Sequence, residues 1–581
     1  MSLNSSKISR RQFVKGIAVS SLVAANFIDL SAKETDLNFE QNSVLSGDEF
    51  SLHIASTPVN ITGTPAMATT VNGLIPGPIL KLKEGQNVTI HVTNHLNVDT
   101  SIHWHGIILP TNMDGVPGIS FNGIKPGETF TYKFKIQQSG TFWYHSHSGF
   151  QEQTGVYGAI VIDPIEKDPY QYDKDYVITL SDWSDEKPSS VYRKLKISSD
   201  YYNFKQRTVG DFFEEVKEKG FFTAFNERKM WNNMTMTDRD LSDVTGYTYT
   251  YLMNGKLPAE KLKIVFKNGE KIRLRFINSA AMTFFDLRIP GLKMKVIASD
   301  GNNVQPVEVD EFRIGVAETY DVIVEPEPNT AYAVFAQSLD RSGYALGALT
   351  YDPNVTAQTP KMDPLPILTH VDMGMGMGNM EHAHEKSSTT MKCGAGMKMP
   401  AKKPIKKSDI PVTPLEEARG IQTTMRAMNP QYRLDDPGVG LRDNGRKVLT
   451  YADLKSLRST MHDRYPDREI ILHLTGNMER YMWSINGIAY KDAKDLEFKY
   501  GERLRITYIN DTMMNHPMHL HGMWSDLETG DENHLVRKHT IIVQPGSKIS
   551  FRVNVDAKGS WAYHCHLLYH MSGMFRKVVV L

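Results

Sequence analysis

The sequence contains very little cysteine, since only Cys393 and Cys565 occur in 581 residues. At most one disulfide bond can form, and the scarcity of thiolates disfavours a structural zinc site, which usually takes more of them. The chain also lacks an excess of charge of either sign, with 66 Lys and Arg residues against 66 Asp and Glu residues. No overall field therefore favours nucleic acid or an anionic surface as a partner.

Long apolar runs are missing as well, apart from the N-terminus. Beyond it, no stretch approaches the roughly 20 apolar residues of a membrane span, so no stable membrane anchor is expected. The N-terminus carries SRRQFVK, from Ser9 to Lys15, and then the apolar stretch Gly16 to Ile28. This arrangement resembles a bacterial twin-arginine export signal. It implies a signal peptide over residues 1–32, the Tat export machinery as a partner and a periplasmic location. A chance arginine pair before an apolar patch is the alternative.

Internal repeats organise the rest of the chain. Short runs that alternate or are rich in β-branched residues are separated by turn residues, which is typical of an all-β protein. One such run begins after a glycine, ends at an asparagine nine positions later and follows an Asn-Gly turn. It occurs at Gly85 to Asn94, Gly269 to Asn278 and Gly501 to Asn510. Copies so far apart indicate duplicated domains rather than a solenoid.

A second repeat links only the first and last copies. Gly127 precedes His145 by 18 residues, and Gly546 precedes His564 by the same 18. The middle copy has AMTFFDLRI, from Ala281 to Ile289, where the last copy has histidines. The sequence therefore predicts three tandem β-sandwich domains with the chemistry in the outer two. The expected domains are 45–165, 166–352 and 466–581, with an insert at 353–465.

Histidines dominate the candidate chemistry. In the outer domains they fall into HxH motifs, and residues i and i+2 of a β-strand point to the same side. The motif residues are His103 and His105, His145 and His147, His519 and His521, and His564 and His566. Eight imidazoles that meet at an interdomain surface suit copper or zinc, and one zinc ion would leave most of them unused. The pattern indicates several metal ions in one cluster.

Cys565 is expected to serve a separate site. The same alternation points its side chain away from His564 and His566. His516 and His570 can join it there as a His₂Cys set, the ligand set of a blue-copper electron-transfer centre with a weak axial ligand. The short backbone around Cys565 would then connect a one-electron site directly to the multi-metal cluster.

These motifs resemble those of the multicopper oxidases, and nearly the whole chain is similar to the bacterial copper-resistance protein A group of that family. The resemblance implies cupredoxin-like Greek-key domains and an enzyme with four copper ions: one type 1, one type 2 and a type 3 pair. It implies that His516, Cys565 and His570 hold the type 1 copper. It further assigns His103 and His519 to the type 2 copper, and His105, His145, His147, His521, His564 and His566 to the type 3 pair.

The resemblance also bears on Asp114 and on a methionine. Asp114 stands where the family keeps a carboxylate near the cluster, which could orient bound water and help to move protons; an Asp-Gly turn residue is the alternative. The axial methionine of relatives usually comes ten residues after the cysteine, where this chain has Phe575. We therefore expect Met574 as the axial ligand, or an axial position that does not coordinate. Relatives also often carry an acidic residue where this chain has Met571, so Asp114 lacks that partner.

The insert is rich in methionine. Thioethers and thiolates are soft ligands that select Cu(I), so we expect a flexible Cu(I)-docking surface, with a plain disordered linker as the alternative. The candidate ligands are Met373, Met375, Met377, Met380, Met391, Met397 and Met399, with Cys393, His382 and His384. KMWNNMTM, from Lys229 to Met236, is a second candidate stretch, although methionines often only fill gaps in a core.

The combined expectation is a periplasmic multicopper oxidase that oxidises Cu(I) with O₂ as acceptor, for copper tolerance, and that works as a monomer. Phenols and Fe(II) are alternative electron donors. A non-enzymatic copper-sequestering protein is the competing class, and the complete ligand set argues against it. A scaffold that only reuses the fold would have lost the histidines, and a two-domain copper nitrite reductase would lack the third domain.

Overall fold

Strands make up most of the regular structure, as the short alternating runs predict. The computed structural model describes residues 44–233, 236–375, 410–461 and 463–581. Three successive groups of strands, which we call domains 1, 2 and 3, each form a pair of sheets. The prediction of an all-β protein with three β-sandwich domains is therefore confirmed. The expected signal peptide, residues 1–32, lies outside the described residues.

Domain 1 contains nine strands. They are β1 (Val44–Ser46), β2 (Glu49–Val59), β3 (Ala66–Val71), β4 (Ile79–Lys83), β5 (Asn87–Asn94), β6 (His103–His105), β7 (Thr129–Lys135), β8 (Gly140–His145) and β9 (Tyr157–Asp163). One sheet has the order β1-β4-β9-β8-β6 and the other the order β3-β2-β5-β7. A 3-10 turn, Thr111–Met113, follows β6.

Domain 2 contains eleven strands and the longest helices of the described chain. The strands are β10 (Lys174–Trp183), β11 (Thr250–Met253), β12 (Leu262–Val265), β13 (Ile272–Asn278), β14 (Phe285–Arg288), β15 (Met294–Ser299), β16 (Asn302–Val309), β17 (Glu311–Ile314), β18 (Thr319–Val324), β19 (Tyr332–Ser338) and β20 (Tyr344–Thr350). The helices, all between β10 and β11, are α1 (Pro188–Ile197), α2 (Val209–Lys219) and α3 (Phe221–Asn233). The sheet orders are β11-β10-β13-β18-β15-β16 and β12-β20-β19-β14-β17.

Domain 3 repeats the arrangement at the C-terminus. Its strands are β21 (Gln431–Tyr432), β22 (Arg468–Asn477), β23 (Met482–Ile485), β24 (Leu496–Phe498), β25 (Arg503–Asn510), β26 (His516–Leu520), β27 (Ser525–Leu527), β28 (Val536–Lys538), β29 (Thr540–Val543), β30 (Ser547–Asn554), β31 (Gly559–Cys565) and β32 (Phe575–Val580). One sheet has the order β23-β22-β25-β30-β27-β28, with β21 beside β30, and the other the order β24-β32-β31-β26-β29. Two 3-10 turns lie between these strands: Tyr451–Asp453 between β21 and β22, and Tyr490–Asp492 between β23 and β24.

The three copies of the sequence repeat occupy equivalent places. They form β5, β13 and β25, each of which pairs in parallel with one neighbour and antiparallel with the other. The asparagine that ends each copy is buried, and its Nδ2 donates to two backbone carbonyls: Val98 and Ile124 for Asn94, Thr283 and Ile314 for Asn278, and Met514 and Val543 for Asn510. The repeated asparagine therefore makes equivalent hydrogen bonds in all three domains.

The stretch from 353 to 465 differs from the flexible insert that its composition suggests. Residues 410–461 contain little regular structure, but Leu441 and Leu454 are buried. Glu311 of domain 2 bridges Val448, and Val412 bridges Glu469 of domain 3. The polar composition of this stretch did not predict these few contacts with the neighbouring domains. Flexibility of residues 376–409, which lie outside the described part of the chain, stays a prediction. Among the described helices, none is long and apolar enough to cross a membrane.

Candidate metal centre

Strand pairing brings the histidine motifs together within each outer domain. In domain 1, β6 and β8 are antiparallel, and His103 lies opposite His145. In domain 3, β26 and β31 are antiparallel, and His519 lies opposite His564. The β6–β8 and β26–β31 pairs therefore have equivalent registers, and these correspond to the second repeat of the sequence.

The two outer domains then join their histidines into one cluster. The rings of His103 and His521 stack with centroids 4.0 Å apart, and those of His105 and His519 stack at 3.7 Å. Nε2 of His566 lies 3.3 Å from Nε2 of His145. All eight imidazoles are buried except His147, which is partly exposed. The cluster is therefore shared between domains and shielded from water.

Within the cluster the donor atoms form three-histidine groups. The groups are His105, His145 and His566; His147, His521 and His564; and His103, His519 and His521, each with its donor atoms within 4.8 Å of one another. The first two groups match the six residues assigned to the type 3 pair, and the third contains both residues assigned to the type 2 copper. Every group draws on both outer domains, so metal binding here requires the assembled interface.

Unpartnered nitrogens show that these residues fit metal ions. Among the described residues, no hydrogen-bond partner faces Nε2 of His103, His147 or His519, either ring nitrogen of His105, or Nδ1 of His566. A buried polar atom left unpaired costs about 1–3 kcal/mol, so several together need a common partner. Imidazole nitrogens suit copper, which provides that partner.

Burial favours the neutral form of most histidines in the cluster. Burial lowers the pKa of seven of its histidines, and neighbouring imidazoles lower it further. They are His105, His145, His147, His519, His521, His564 and His566. Only a neutral imidazole has a lone pair for a metal, so burial prepares the ring nitrogens for ligation.

Hydrogen bonds at Nδ1 orient the rings. His103 donates to the backbone oxygen of Asp114 at 2.7 Å, and His521 donates to its Oδ2 at 2.9 Å. His519 donates to the backbone oxygen of His539 at 2.6 Å. A ligand whose second nitrogen is held in this way has a fixed tautomer and orientation. Asp114 therefore touches two rings of the cluster, which sequence reasoning predicted only as proximity.

Glu152 is a buried carboxyl that sequence reasoning missed. Its Oε2 lies 2.8 Å from Nδ1 of His145, and its Oε1 lies 3.8 Å from Nδ1 of His566. Burial raises the pKa of Glu152, and the nearby Asp182 raises it further. It follows the HSH motif in the same loop, and no spacing rule distinguishes it from an ordinary loop glutamate.

Cys565 lies in a separate group with the two predicted histidines. Its Sγ is 3.5 Å from Nδ1 of His516 and 3.8 Å from Nδ1 of His570, and the two nitrogens are 3.4 Å apart. All three side chains have no exposed surface. Burial raises the pKa of the Cys565 thiol, because an apolar site disfavours an isolated thiolate. A bound cation would reverse that preference by pairing with the sulfur.

The outer nitrogens of this group are also held. Nε2 of His516 hydrogen-bonds Oγ1 of Thr512 at 2.7 Å, and Nε2 of His570 donates to Oδ2 of Asp243 at 2.6 Å. The ring of Trp483 stacks on His570 with centroids 3.8 Å apart. Asp243 belongs to domain 2, and neither it nor Trp483 lies in a motif, so the sequence offered no signal for them.

The chain after His570 separates Met574 from Phe575. Phe575 lies opposite His564, and its ring stacks on that histidine at 5.4 Å. Met574 is fully buried, and its backbone oxygen accepts from the backbone nitrogen of Cys565 at 3.0 Å. Phe575 therefore packs on the cluster side, and Met574 lies beside Cys565. Axial ligation by Met574 stays a prediction.

Only two of the proposed docking methionines lie among the described residues. Met373 is fully buried, whereas Met375 is partly exposed. Met373 lies in a turn that is closed by Thr369 and Asp372, where each accepts from the other's backbone nitrogen. Met377, Met380, Met391, Met397 and Met399, with Cys393, His382 and His384, lie outside the described residues. In the stretch that ends at Met236, that methionine is buried, as in the gap-filling alternative.

Comparisons with known proteins agree with this geometry. Three family models described as "Multicopper oxidase" match residues 53–167, 174–354 and 463–581. Copper resistance protein A of Escherichia coli is 53% identical over 611 residues, with 99% of each chain covered. Copper resistance protein A of Pseudomonas syringae pv. tomato is 53% identical over 619 residues, again with 99% of each covered. The crystal structure of Fet3p, a multicopper oxidase that functions in iron import, superposes with a TM-score of 0.64 at 18% identity. The superposition covers 92% of this chain and 90% of the Fet3p chain.

Proposed function

The chain belongs to the multicopper oxidase family and is an oxidoreductase, and from this premise we propose that it oxidises Cu(I) with O₂ in the periplasm for copper tolerance. The relatives named for copper resistance support this choice, since the chain covers their full length. The observation that carries the proposal is the complete donor set: a His₂Cys group and an eight-histidine cluster linked by His564, Cys565 and His566.

We assign four copper ions to these donors. His516, Cys565 and His570 would hold the type 1 ion together with Met574, and His103 and His519 would hold the type 2 ion. His105, His145, His147, His521, His564 and His566 hold the type 3 pair. Bound copper supplies one-electron oxidation at the cysteine group and four-electron reduction of O₂ to water at the histidine cluster.

The backbone around Cys565 connects the two groups. Cys565 is covalently adjacent to His564 and His566, so no residue separates the two donor groups in either direction along the chain. The backbone nitrogen of His566 donates to Pro517 O at 2.6 Å, and His516 of the cysteine group directly precedes Pro517. These bonds fix the distance between the two groups and give electrons a short path.

Asp114 is the proposed positioning residue of the cluster. Its carboxylate contacts Nδ1 of both His521 and His103, at 2.9 Å and 3.3 Å. A carboxylate in this place orients the rings, and it can also hold a proton near reduced oxygen.

The cover over the cysteine group supports a small electron donor. Tyr192 of α1 hydrogen-bonds Ser572 at 2.9 Å, and Lys196 of α1 donates to the backbone oxygen of Tyr481 at 2.5 Å. These contacts place α1 over the loop that follows His570. The side chain of His570 itself has no exposed surface. Because the His570 imidazole is fully buried, a bulky phenol has no direct contact with it in this arrangement, whereas Cu(I) can be held by soft or anionic side chains further out.

Comparison of electron donors tests the proposal. The copper-loaded protein is placed in an oxygen electrode with Cu(I), Fe(II) or a phenol, beside a variant that lacks residues 376–409. We expect Cu(I) to support O₂ uptake and the deletion to lower that uptake selectively. If the deletion lowered O₂ uptake equally with all donors, the insert would have no docking role for Cu(I). Copper uptake without O₂ consumption from any donor would instead favour the sequestering protein.

A further inference from the structure

Two histidines of domain 1 face each other outside every HxH motif. His53 belongs to β2, and His95 directly follows β5, the neighbouring strand. Nδ1 of His53 lies 3.0 Å from Nε2 of His95, and the rings stack with centroids 5.2 Å apart. His95 is exposed and His53 is partly exposed, in contrast to the mostly buried interdomain cluster. Neither residue has a role in the donor groups described above.

Backbone hydrogen bonds hold both histidines in place. The nitrogen of His53 donates to Oδ1 of Asn72 at 2.7 Å, and the nitrogen of Asn72 donates to the oxygen of His53 at 2.9 Å. The nitrogen of His95 donates to the oxygen of Ile54 at 2.8 Å. His95 directly follows Asn94, the anchored asparagine of the first repeat. Two residues that are already held on neighbouring strands lose little freedom when they bind a common ligand.

The same backbone arrangement occurs in all three domains, but its two side chains differ. An asparagine of an Asn-Gly turn binds the backbone at the first position, and the second position follows the repeated asparagine. The residues are His53 and His95 in domain 1, Thr179 and Ser279 in domain 2, and His473 and Asp511 in domain 3. In domain 3, Nδ1 of His473 lies 2.7 Å from Oδ2 of Asp511. A carboxylate thus satisfies a histidine in this arrangement, so packing does not require the second imidazole of domain 1.

The gap between the two ring nitrogens has the size of a metal site. Two nitrogens bound to one ion at about 2.0–2.1 Å, with tetrahedral or square-planar angles, lie about 2.9–3.4 Å apart. The 3.0 Å between His53 and His95 is within this range, and Nε2 of His521 and Nε2 of His564 in the cluster are also 3.0 Å apart. A proton shared by two neutral rings fits the same gap, and a metal ion would replace it.

The charge state of the pair favours metal binding. Burial lowers the pKa of His53, and the neighbouring His95 imidazole lowers it further. The two rings therefore resist protonation together, and a neutral imidazole keeps the lone pair that a metal needs. Because His95 is exposed, water can complete the coordination of an ion that has two protein ligands.

We propose that His53 and His95 form a surface site for a divalent transition-metal ion, with Nδ1 of His53 and Nε2 of His95 as ligands. Among the divalent first-row ions, Cu(II) binds nitrogen donors most tightly, so it is the ion that this pair should hold best. The site uses none of the donors assigned to copper above and does not depend on them. Oxidation of Cu(I), as proposed above, yields Cu(II), so the chain would carry an exposed acceptor for its own product.

The test measures Cu(II) that binds beyond the resident copper. Copper-loaded protein is dialysed until its copper content is constant, and Cu(II) is then added in equilibrium dialysis. His53→Asn and His95→Asn are compared with wild type and with the control His91→Asn, a histidine of β5 that binds Thr131 and Glu49. We expect one additional ion per chain in wild type and in the control. Each variant of the pair should bind it about 10- to 100-fold more weakly or worse, since it loses a ligand rather than an outer-shell partner. The thiolate absorption band should be the same in all four proteins.

Chemical modification locates the additional ion. Diethyl pyrocarbonate modifies exposed imidazoles, and Cu(II) should protect His95 from it in wild type but leave His91 reactive, as measured by peptide mapping with mass spectrometry. Equal Cu(II) binding by wild type and both variants of the pair would overturn the proposal, as would an equal loss in His91→Asn. A wild type that binds no additional ion and leaves His95 unprotected would also overturn it, because the pair would then hold only a shared proton. Failure of the histidine cluster would instead lower the resident copper content before Cu(II) is added, so the two failures are distinguishable.

Discussion

At the scale of single residues, the two groups of donors differ in the imidazole nitrogen that they offer. His516 and His570 turn Nδ1 toward Cys565, because Thr512 and Asp243 hold their Nε2 atoms. His103, His519 and His521 instead have Nδ1 occupied by neighbouring oxygens, which leaves Nε2 for the cluster. Hydrogen-bond partners outside each donor set therefore decide which atom faces the metal.

Met574 gives a residue-scale prediction. If its thioether is the axial ligand, Met574→Leu removes it and should raise the reduction potential of the type 1 copper, since weaker axial ligation favours Cu(I). The measurement is a redox titration of the thiolate absorption band. Met571→Leu, a substitution at a neighbouring methionine packed against Val116 and Phe575, is the control and should leave the potential unchanged. Equal potentials in wild type and Met574→Leu would mean that the axial position does not coordinate.

Asp114 gives a second prediction for a single residue. Asp114→Asn keeps the size of the side chain but replaces one of the carboxylate oxygens that lie 2.9 Å from Nδ1 of His521 and 3.3 Å from Nδ1 of His103 with an amide nitrogen. We expect O₂ uptake to fall about 10- to 100-fold while anaerobic reduction of the type 1 copper keeps its rate. Stopped-flow absorption and an oxygen electrode measure the two steps. Asp99→Asn, at a solvent-exposed carboxylate paired with Lys125, is the control. Slowing of both steps alike would contradict a role limited to the cluster.

At the scale of elements, strand alternation explains only part of the motif geometry. The pair His103 and His105 lies within β6, as the spacing predicts. β8 and β31 end at His145 and Cys565, so His147 and His566 lie in the loops that follow. The spacing predicted which residues meet, but those loops are shaped by long-range contacts, such as the bond from His566 N to Pro517 O, that no local pattern encodes.

The segment of domain 2 before β11 gives a prediction at this scale. Asp243 accepts from His570 and from Tyr481 OH, so this loop supports the group of His516, Cys565 and His570 from another domain. Asp243→Asn should weaken retention of the type 1 copper about 10- to 100-fold and shift its absorption band. Chelator titration followed at that band is the measurement. Asp240→Asn, at a buried carboxyl that binds Asn203, is the matched control, and equal effects of both variants would point to a general loss of folding.

At the scale of the whole molecule, domain 2 supports both sites without contributing an assigned ligand. Its Asp243 holds His570, its Asp300 holds the backbone around His539, and its Ala281 oxygen accepts from Leu568 N in the loop after Cys565. The repeats predicted three domains and a middle one without copper histidines. They did not reveal these supporting residues, because each is a single side chain or carbonyl whose role appears only when three domains meet.

The sequence also did not predict the packing of the chain between domains 2 and 3. Composition predicted a flexible stretch through residue 465, whereas residues 410–461 pack against both neighbouring domains. Burial of a few side chains such as Leu454 suffices to anchor an irregular segment, and it leaves no periodic pattern to detect. Isolated anchors of this kind depend on partners that are distant in sequence.

In the proposed function, electrons enter at the Cys565 group and pass to O₂ at the histidine cluster. O₂ uptake by the copper-loaded wild type and by Cys565→Ser, with Cu(I) as donor, tests this path together with copper counts. We expect wild type to bind four copper ions and to consume one O₂ for every four Cu(I) oxidised. Cys565→Ser should keep three copper ions, lose the thiolate absorption band and fall to the rate without enzyme. Retention of both the band and O₂ uptake by Cys565→Ser would contradict the account.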